Sequence, residues 1–193
     1  MESTLALTTA HKAARLAWAK DMVLKSTEEW DCVVFSDEKK FNLDGPDGLQ
    51  SAKGKTELAV LVGRQASPHY IHTVSEYLLP YAHFHYGVDF VYQQGNASIH
   101  TSRETIEFLD EPGVNVMTWP ARSLDLNPVE KLWAILARKV YQNGRQYANV
   151  AELTQAILQA WKAIEHTALT TLIRSMPRRC IEVIERKGDK THY

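Results

Sequence analysis

The sequence predicts an α/β fold, a mixed sheet with helices packed against it. Three observations carry that prediction. Short, apolar, β-rich runs alternate with segments of helical period along the chain. The first two of these runs have no helix between them, which calls for an antiparallel hairpin. The 193 residues, 45% apolar and 23% charged, contain no repeat or low-complexity tract and suit one sizeable core.

The elements follow in order. Residues 8–24 read as a helix, with Thr8 or Thr9 as cap and Leu16, Trp18, Ala19, Met22 and Val23 at helical spacing. Residues 32–36 are a short buried strand ending at Asp37. Asp44-Gly45-Pro46-Asp47-Gly48 is a strong turn signal, and the polar, small residues 49–56 continue that loop. Glu57 to Val62 reads as the second strand, closed by Gly63. Ser67 caps the next helix, Pro68 opens its first turn, and the pattern runs to His85. Phe90 to Gln93 is the third strand. A helix from Ser102 to Leu109 is broken by Pro112-Gly113, and Val114 to Trp119 is the fourth strand. The clearest helix is Pro128 to Tyr141, with Asn127 as cap and Val129, Leu132, Trp133, Leu136 and Val140 as its apolar stripe. Helices over 150–164 and 168–186 complete the chain.

Composition narrows the class. No apolar run approaches the roughly 20 residues needed to span a bilayer, and Met1-Glu2-Ser3-Thr4 does not open a secretory signal. Cys32 and Cys180 lie far apart and lack metal-ligand spacing, so they read as a reduced intracellular pair. Charge is uneven. Residues 1–120 hold 10 Lys and Arg against 16 Asp and Glu, a balance of −6, and residues 121–193 hold 12 against 7, a balance of +5. Affinity for a polyanion would therefore be local, centred on the C-terminal third, where the same charges also read as a solvated basic helix face.

Three positions draw attention as a site. Asp37 follows the first strand, Gly95 follows the third, and Glu130 lies in the first turn of the clearest helix. Ligands of open sheets lie beyond the carboxyl ends of strands, so the three converge on one edge. Crowded carboxylates resist ionisation, and a hard divalent cation such as Mg²⁺ reverses that cost. Two such ions about 3.5–4 Å apart can activate an attacking oxygen and stabilise a leaving one at a phosphodiester. Taken singly, the residues have plainer readings. Asp37 reads first as a strand-end residue capping a turn. Glu130, three residues after Asn127, fits a capping box. Asp125 fits an Asx-type turn. His100 fits a site wall or a packed polar position equally well.

Longer motifs change that balance. Ser36-Asp37-Glu38-Lys39-Lys40-Phe41-Asn42-Leu43-Asp44-Gly45-Pro46-Asp47-Gly48 resembles the first-aspartate motif of the mariner-superfamily transposases. Gln93-Gln94-Gly95-Asn96-Ala97-Ser98-Ile99-His100-Thr101 resembles the second, with Gly95 where the family has aspartate. Trp119 to Trp133, containing Asp125-Leu126-Asn127-Pro128-Val129-Glu130, resembles the third, with Leu124 where the family usually has proline and Lys131 where it usually has asparagine. The 34 residues between Gly95 and Glu130 match the branch whose third ligand is glutamate. His11 to Ala19 and Gly188 to Tyr193 resemble the family's flanking stretches.

The resemblance implies a ribonuclease-H-like mixed sheet flanked by helices over 31–193, preceded by a linker-helix remnant over 1–30. It implies that Asp37 and Glu130 are catalytic carboxylates and metal ligands, that Gly95 marks a lost ligand, and that Mg²⁺ or Mn²⁺ binds weakly. Asn96 would be at best a weak carbonyl substitute. The family's reaction is cutting and joining of DNA in transposition, here expected to be impaired, with an inactive DNA-binding or interaction module as the alternative. DNA contacts are expected through Lys39, Lys40, Arg122, Lys131, Arg138 and Lys139. A nuclear location follows from the family's substrate, a homodimer is a further expectation, and the lack of a long apolar run gives the expectation of no membrane association. The family's N-terminal helix-turn-helix is expected to be missing, and with it recognition of particular DNA ends. Only 57 residues separate Asp37 from Gly95, tens fewer than in the family. One ancestral strand is therefore expected to be absent, with Leu58–Val62 pairing antiparallel to Val33–Ser36.

Overall fold

The computed structural model describes residues 6–39, 41, 47–51, 53–61 and 63–193. At its centre is a five-stranded mixed sheet. Its strands are β1 (Val33–Glu38), β2 (Asp47–Ser51), β3 (Gly54–Lys55), β4 (Val91–Gln93) and β5 (Asn115–Val116), in the order β3-β2-β1-β4-β5. β1 pairs antiparallel with β2 and parallel with β4. β2 pairs antiparallel with β3, and β4 parallel with β5.

β1 is apolar on both sides because both sides are covered. Successive side chains point to opposite faces. Val33 and Phe35 join one core with Trp30, Leu132, Trp133 and Leu136, and Val34 joins a second with Tyr70, Leu78, Tyr92 and Leu109. The first core is roofed by α1 (Thr9–Met22), α2 (Thr27–Asp31), α6 (Pro128–Val140), α7 (Val150–Lys162), α8 (His166–Ile173) and α9 (Met176–Glu185). The second lies under α3 (Ser67–Thr73), α4 (Leu79–Tyr86) and α5 (Arg103–Asp110). Among the described residues no helix is long and apolar enough to cross a membrane.

The sheet corrects the expected hairpin. β1 is paired not by Leu58–Val62 but by residues 47–51, which read as loop, with Glu38 opposite Asp47 and Asp37 opposite Gly48. The nearer segment closes the shorter loop, and a short antiparallel return is the cheapest connection. The place beside β1 expected for Leu58–Val62 is thus taken by β2. Among the described residues 58–61, Ala59 alone forms an isolated bridge, and Leu58 is buried in the first core. Val62 and residues 44–46 of the predicted turn lie outside the described residues.

Three smaller expectations also change. The helix predicted over 168–186 is two helices, broken at Arg174 and Ser175, where Pro177 lacks the N–H that a continuous helix would use. The fourth strand shrinks to Asn115–Val116 because β4 offers only three residues to pair with. Ala66, not Ser67, is the cap of α3, and the His69 ring nitrogen accepts from the Ala66 N–H. Between α3 and α4, residues Val74–Leu78 form a π turn in which Leu79 N–H bonds to Val74 O. The widening falls where Pro80 has no N–H to offer.

Candidate functional site

Asp37 and Glu130 meet at the carboxyl end of β1. Asp37 is an odd-numbered residue of β1, on the face that carries Val33 and Phe35 and that α6 covers. Glu130 stands in the first turn of α6 and is half-buried. The helix starts there for local reasons. Asn127 Oδ1 accepts from Val129 N–H (3.1 Å), and Pro128 supplies a preset φ at the first helical position. The capping box expected of Glu130 is not formed. Its carboxylate makes no hydrogen bond to the described residues and faces the site instead.

The charge of Glu130 acts on Asp37. Burial first, then the negative charges of Glu130 and Glu38, push the Asp37 carboxyl up to about 8. The Trp133 indole N–H, 3.0 Å from Asp37 Oδ2, pulls the other way and is outweighed. Two carboxylates repelling each other in a half-dry setting are what a hard divalent cation relieves.

Gly95 lies two residues beyond the end of β4. β1 and β4 run parallel, with Val33 beside Val91 and Phe35 beside Gln93. Continuing that register by two residues sets Gly95 beside Asp37 on the same face. A Cβ built on Gly95 would meet His100 Nδ1 at 3.5 Å, an ordinary contact, and the glycine's φ lies outside the left-handed region. Neither space nor backbone therefore requires glycine here.

The neighbouring polar groups are engaged in other hydrogen bonds. His100 is buried, with Nε2 2.7 Å from Glu38 Oε1 and Nδ1 3.1 Å from the Gly95 carbonyl, and its ring centroid lies 4.4 Å from that of Tyr70. Glu38 is therefore committed to His100. Asn96 donates its amide to Trp119 O (2.9 Å). Among the described residues no three of His, Cys, Asp and Glu are grouped to hold a metal ion. The buried Gln93 amide, two residues before Gly95, has no hydrogen-bond partner among them. The donors present fit one divalent ion at two carboxylates and do not complete a three-carboxylate set.

The other predicted residues are spread around this centre. Lys39 is exposed just past β1, and Lys40 lies outside the described residues. Lys131, Arg138 and Lys139 are exposed on α6, and their spacing of seven and eight puts them on one side of it. Arg122 adopts a positive φ of 57° and donates to Ala6 O (3.0 Å). Asp125 does not make the expected Asx-type turn. It forms a bidentate pair with the fully buried Arg15 (2.8 and 2.6 Å) and accepts from Thr191 N–H (2.8 Å). Sequence reasoning missed the polar roles of Trp133 and Ser36, and it saw in Asn127 only a cap. The signal for Trp133 was its place three residues after Glu130, on the same helix face.

Known proteins resemble this chain in sequence and in fold. The family model described as DDE superfamily endonuclease matches residues 90–154, from β4 into α7. The chain is 38% identical over 216 residues to the transposable element Tc3 transposase of Caenorhabditis elegans, covering 97% of this chain and 65% of that one. It is 31% identical over 215 residues to the Tcb1 transposase of Caenorhabditis briggsae, covering 95% of this chain and 78% of that one. It thus spans just under two thirds of the Tc3 protein. Its fold superposes on the catalytic domain of Mos1 mariner transposase with a TM-score of 0.85 at 15% identity, covering 97% of this chain and 98% of that domain. It also superposes on the Mos1 paired-end complex with the left transposon end, with a TM-score of 0.82 at 14% identity over 96% of this chain and 65% of that one.

Proposed function

The chain belongs to the Tc1/mariner transposases of the DDE superfamily, and from that premise we propose that it is a transposase-derived catalytic domain whose DNA cutting and joining centre is Asp37 and Glu130, impaired at Gly95. The observation that supports this best is the placement of Asp37 where burial and the charge of Glu130 raise the cost of its ionisation, with Gly95 two residues past the strand paired beside β1. A divalent cation, when bound, supplies the positive charge that a phosphodiester needs at its attacking and leaving oxygens. Mg²⁺ and Mn²⁺ are the ions named with the Mos1 catalytic domain, and we carry them over to this site. Asp37 and Glu130 would hold the ion. The Trp133 indole orients Asp37, and the cap at Asn127 orients Glu130.

In this reading DNA is the partner, a second copy of the chain joins it there, and the nucleus is where the protein acts. Lys39, Lys40 and Arg122, with Lys131, Arg138 and Lys139 on α6, supply contacts to phosphates. A second reading is a DNA-binding module without chemistry. It is favoured by the exposed cations of α6, which do not depend on Gly95.

The test is nicking of supercoiled plasmid in Mn²⁺ or Mg²⁺ by the parent chain, by Gly95→Asp, and by Gly95→Asp with Asp37→Asn. We expect little or no nicking by the parent, a clear gain with Gly95→Asp, and loss again with Asp37→Asn. Nicking by Gly95→Asp that survives Asp37→Asn would overturn the assignment of the centre. Salt-dependent plasmid binding with no nicking by any variant would establish the second reading.

A further inference from the structure

Both polar atoms of the Asn127 side chain are engaged. Oδ1 caps α6 through Val129 N–H, and Nδ2 donates to the Ser36 carbonyl at 3.0 Å. Ser36 in turn donates its hydroxyl to the Gln93 carbonyl at 2.9 Å. All three side chains are buried. One hydrogen-bonded joint thus touches β1 one residue before Asp37, β4 two residues before Gly95, and the cap three residues before Glu130. A second tie lies three residues beyond Glu130, where Trp133 donates to Asp37. Residues three apart on a helix share a face, so Glu130 sits between two tethers that end on consecutive residues of β1.

A helix cap alone does not require asparagine. Serine or aspartate would satisfy the end of α6 equally well. Asparagine presents an acceptor to the helix and a separate donor to the strand, whereas aspartate has no donor and serine has only one shorter hydroxyl for both. We infer that Asn127 is a positioning residue whose amide fixes the separation of Asp37 and Glu130 before any cation binds. The inference rests on the reading of these two carboxylates as the centre. Ser36 contributes its main-chain carbonyl to this tie and its hydroxyl only to the link with β4.

The test compares metal-free crystal structures of the parent, Asn127→Ser, Asn127→Asp and Ser36→Ala. Both Asn127 variants keep a capping acceptor and lose the donor that reaches Ser36. We expect them to change the Asp37–Glu130 separation by more than about 0.5 Å, the tolerance of a productive site. Ser36→Ala keeps the carbonyl and should leave the separation as it is. An unchanged separation in both Asn127 variants overturns the inference. Mn²⁺ affinity is then measured by electron paramagnetic resonance in the Gly95→Asp background. Asn127→Ser should weaken it by about 10- to 100-fold, as loss of a supporting contact does. Ile173→Val, a change in the distant core, should not. Equal weakening by both also overturns the inference. If Gly95→Asp alone binds no Mn²⁺, the metal reading of the carboxylates fails, and the metal-free separation still decides the role of Asn127.

Discussion

Trp133 reaches from α6 across to β1 and donates its indole N–H to the Asp37 carboxylate at 3.0 Å. The helix that carries one acidic residue thereby holds the other. This bond opposes the burial and the like charges that push Asp37 up to about 8. Trp133→Phe keeps an aromatic ring against Phe41 and Trp161 but removes the donor together with part of the indole's buried volume. Asp37 should then titrate higher still. The variant should lose about 1.5–3 kcal/mol at pH values where the carboxylate is charged, the usual worth of a hydrogen bond to an ion. Carboxyl-carbon NMR of Asp37 and urea unfolding measure the two effects. An unchanged titration would show that the indole does not support the charged form.

Asp37 also sets a pH dependence whose sign is opposite to that of a salt-bridged carboxylate. Its folded value, about 8, lies above the ordinary 3.8, so the folded state binds the extra proton. Its contribution to stability is most favourable below about pH 4 and is lost as pH rises to 8. Asp37→Asn removes this penalty. The variant should match the parent near pH 4 and gain stability relative to it up to pH 8, on the order of a few kcal/mol. Denaturation across that window reads the difference. A difference that does not grow with pH would contradict the burial and repulsion described for Asp37.

How far the sequence reveals this site depends on how local each contact is. The start of α6 is legible because Asn127, Pro128 and the stripe from Val129 to Val140 lie within 14 successive residues. β2 is not legible, because Asp-Gly-Leu-Gln-Ser has no alternation and its pairing is decided by the reversal before it. The links from His100 to Glu38 and from Asp125 to Arg15 span 62 and 110 residues, beyond any local pattern. Trp133 was counted as apolar because an indole is mostly apolar, and its single polar atom gives no periodic signal.

Gln93 should be replaceable with a gain. Its side chain is fully buried, and neither amide atom has a hydrogen-bond partner among the described residues. A buried amide left unpaired costs about 1–3 kcal/mol per group. Gln93→Met keeps the length and removes both orphans. The variant should be more stable by about 1 kcal/mol, or about 2–4 °C in Tm for a chain of this size. A lower Tm would mean that the amide has a partner in solution, such as a bound water or ion.

Asp125 should govern the acid limb of stability. Burial pushes its carboxyl up, but hydrogen bonds from Arg15 and Thr191, with the Arg15 charge, outweigh that and hold it below the usual range. Its contribution is therefore present above the ordinary value near 3.9 and fades as pH falls through the lower folded value. The same carboxylate joins α1, the turn before α6 and Thr191, beyond the end of α9. Asp125→Asn keeps the shape and removes the charge beside a guanidinium that is fully buried. Breaking one side of such a pair costs about 3–5 kcal/mol. The loss should be seen in urea unfolding at pH 7 and should diminish as pH falls through the lowered folded value of the parent's carboxylate. A loss that stays the same as pH falls would assign the effect to packing rather than to charge.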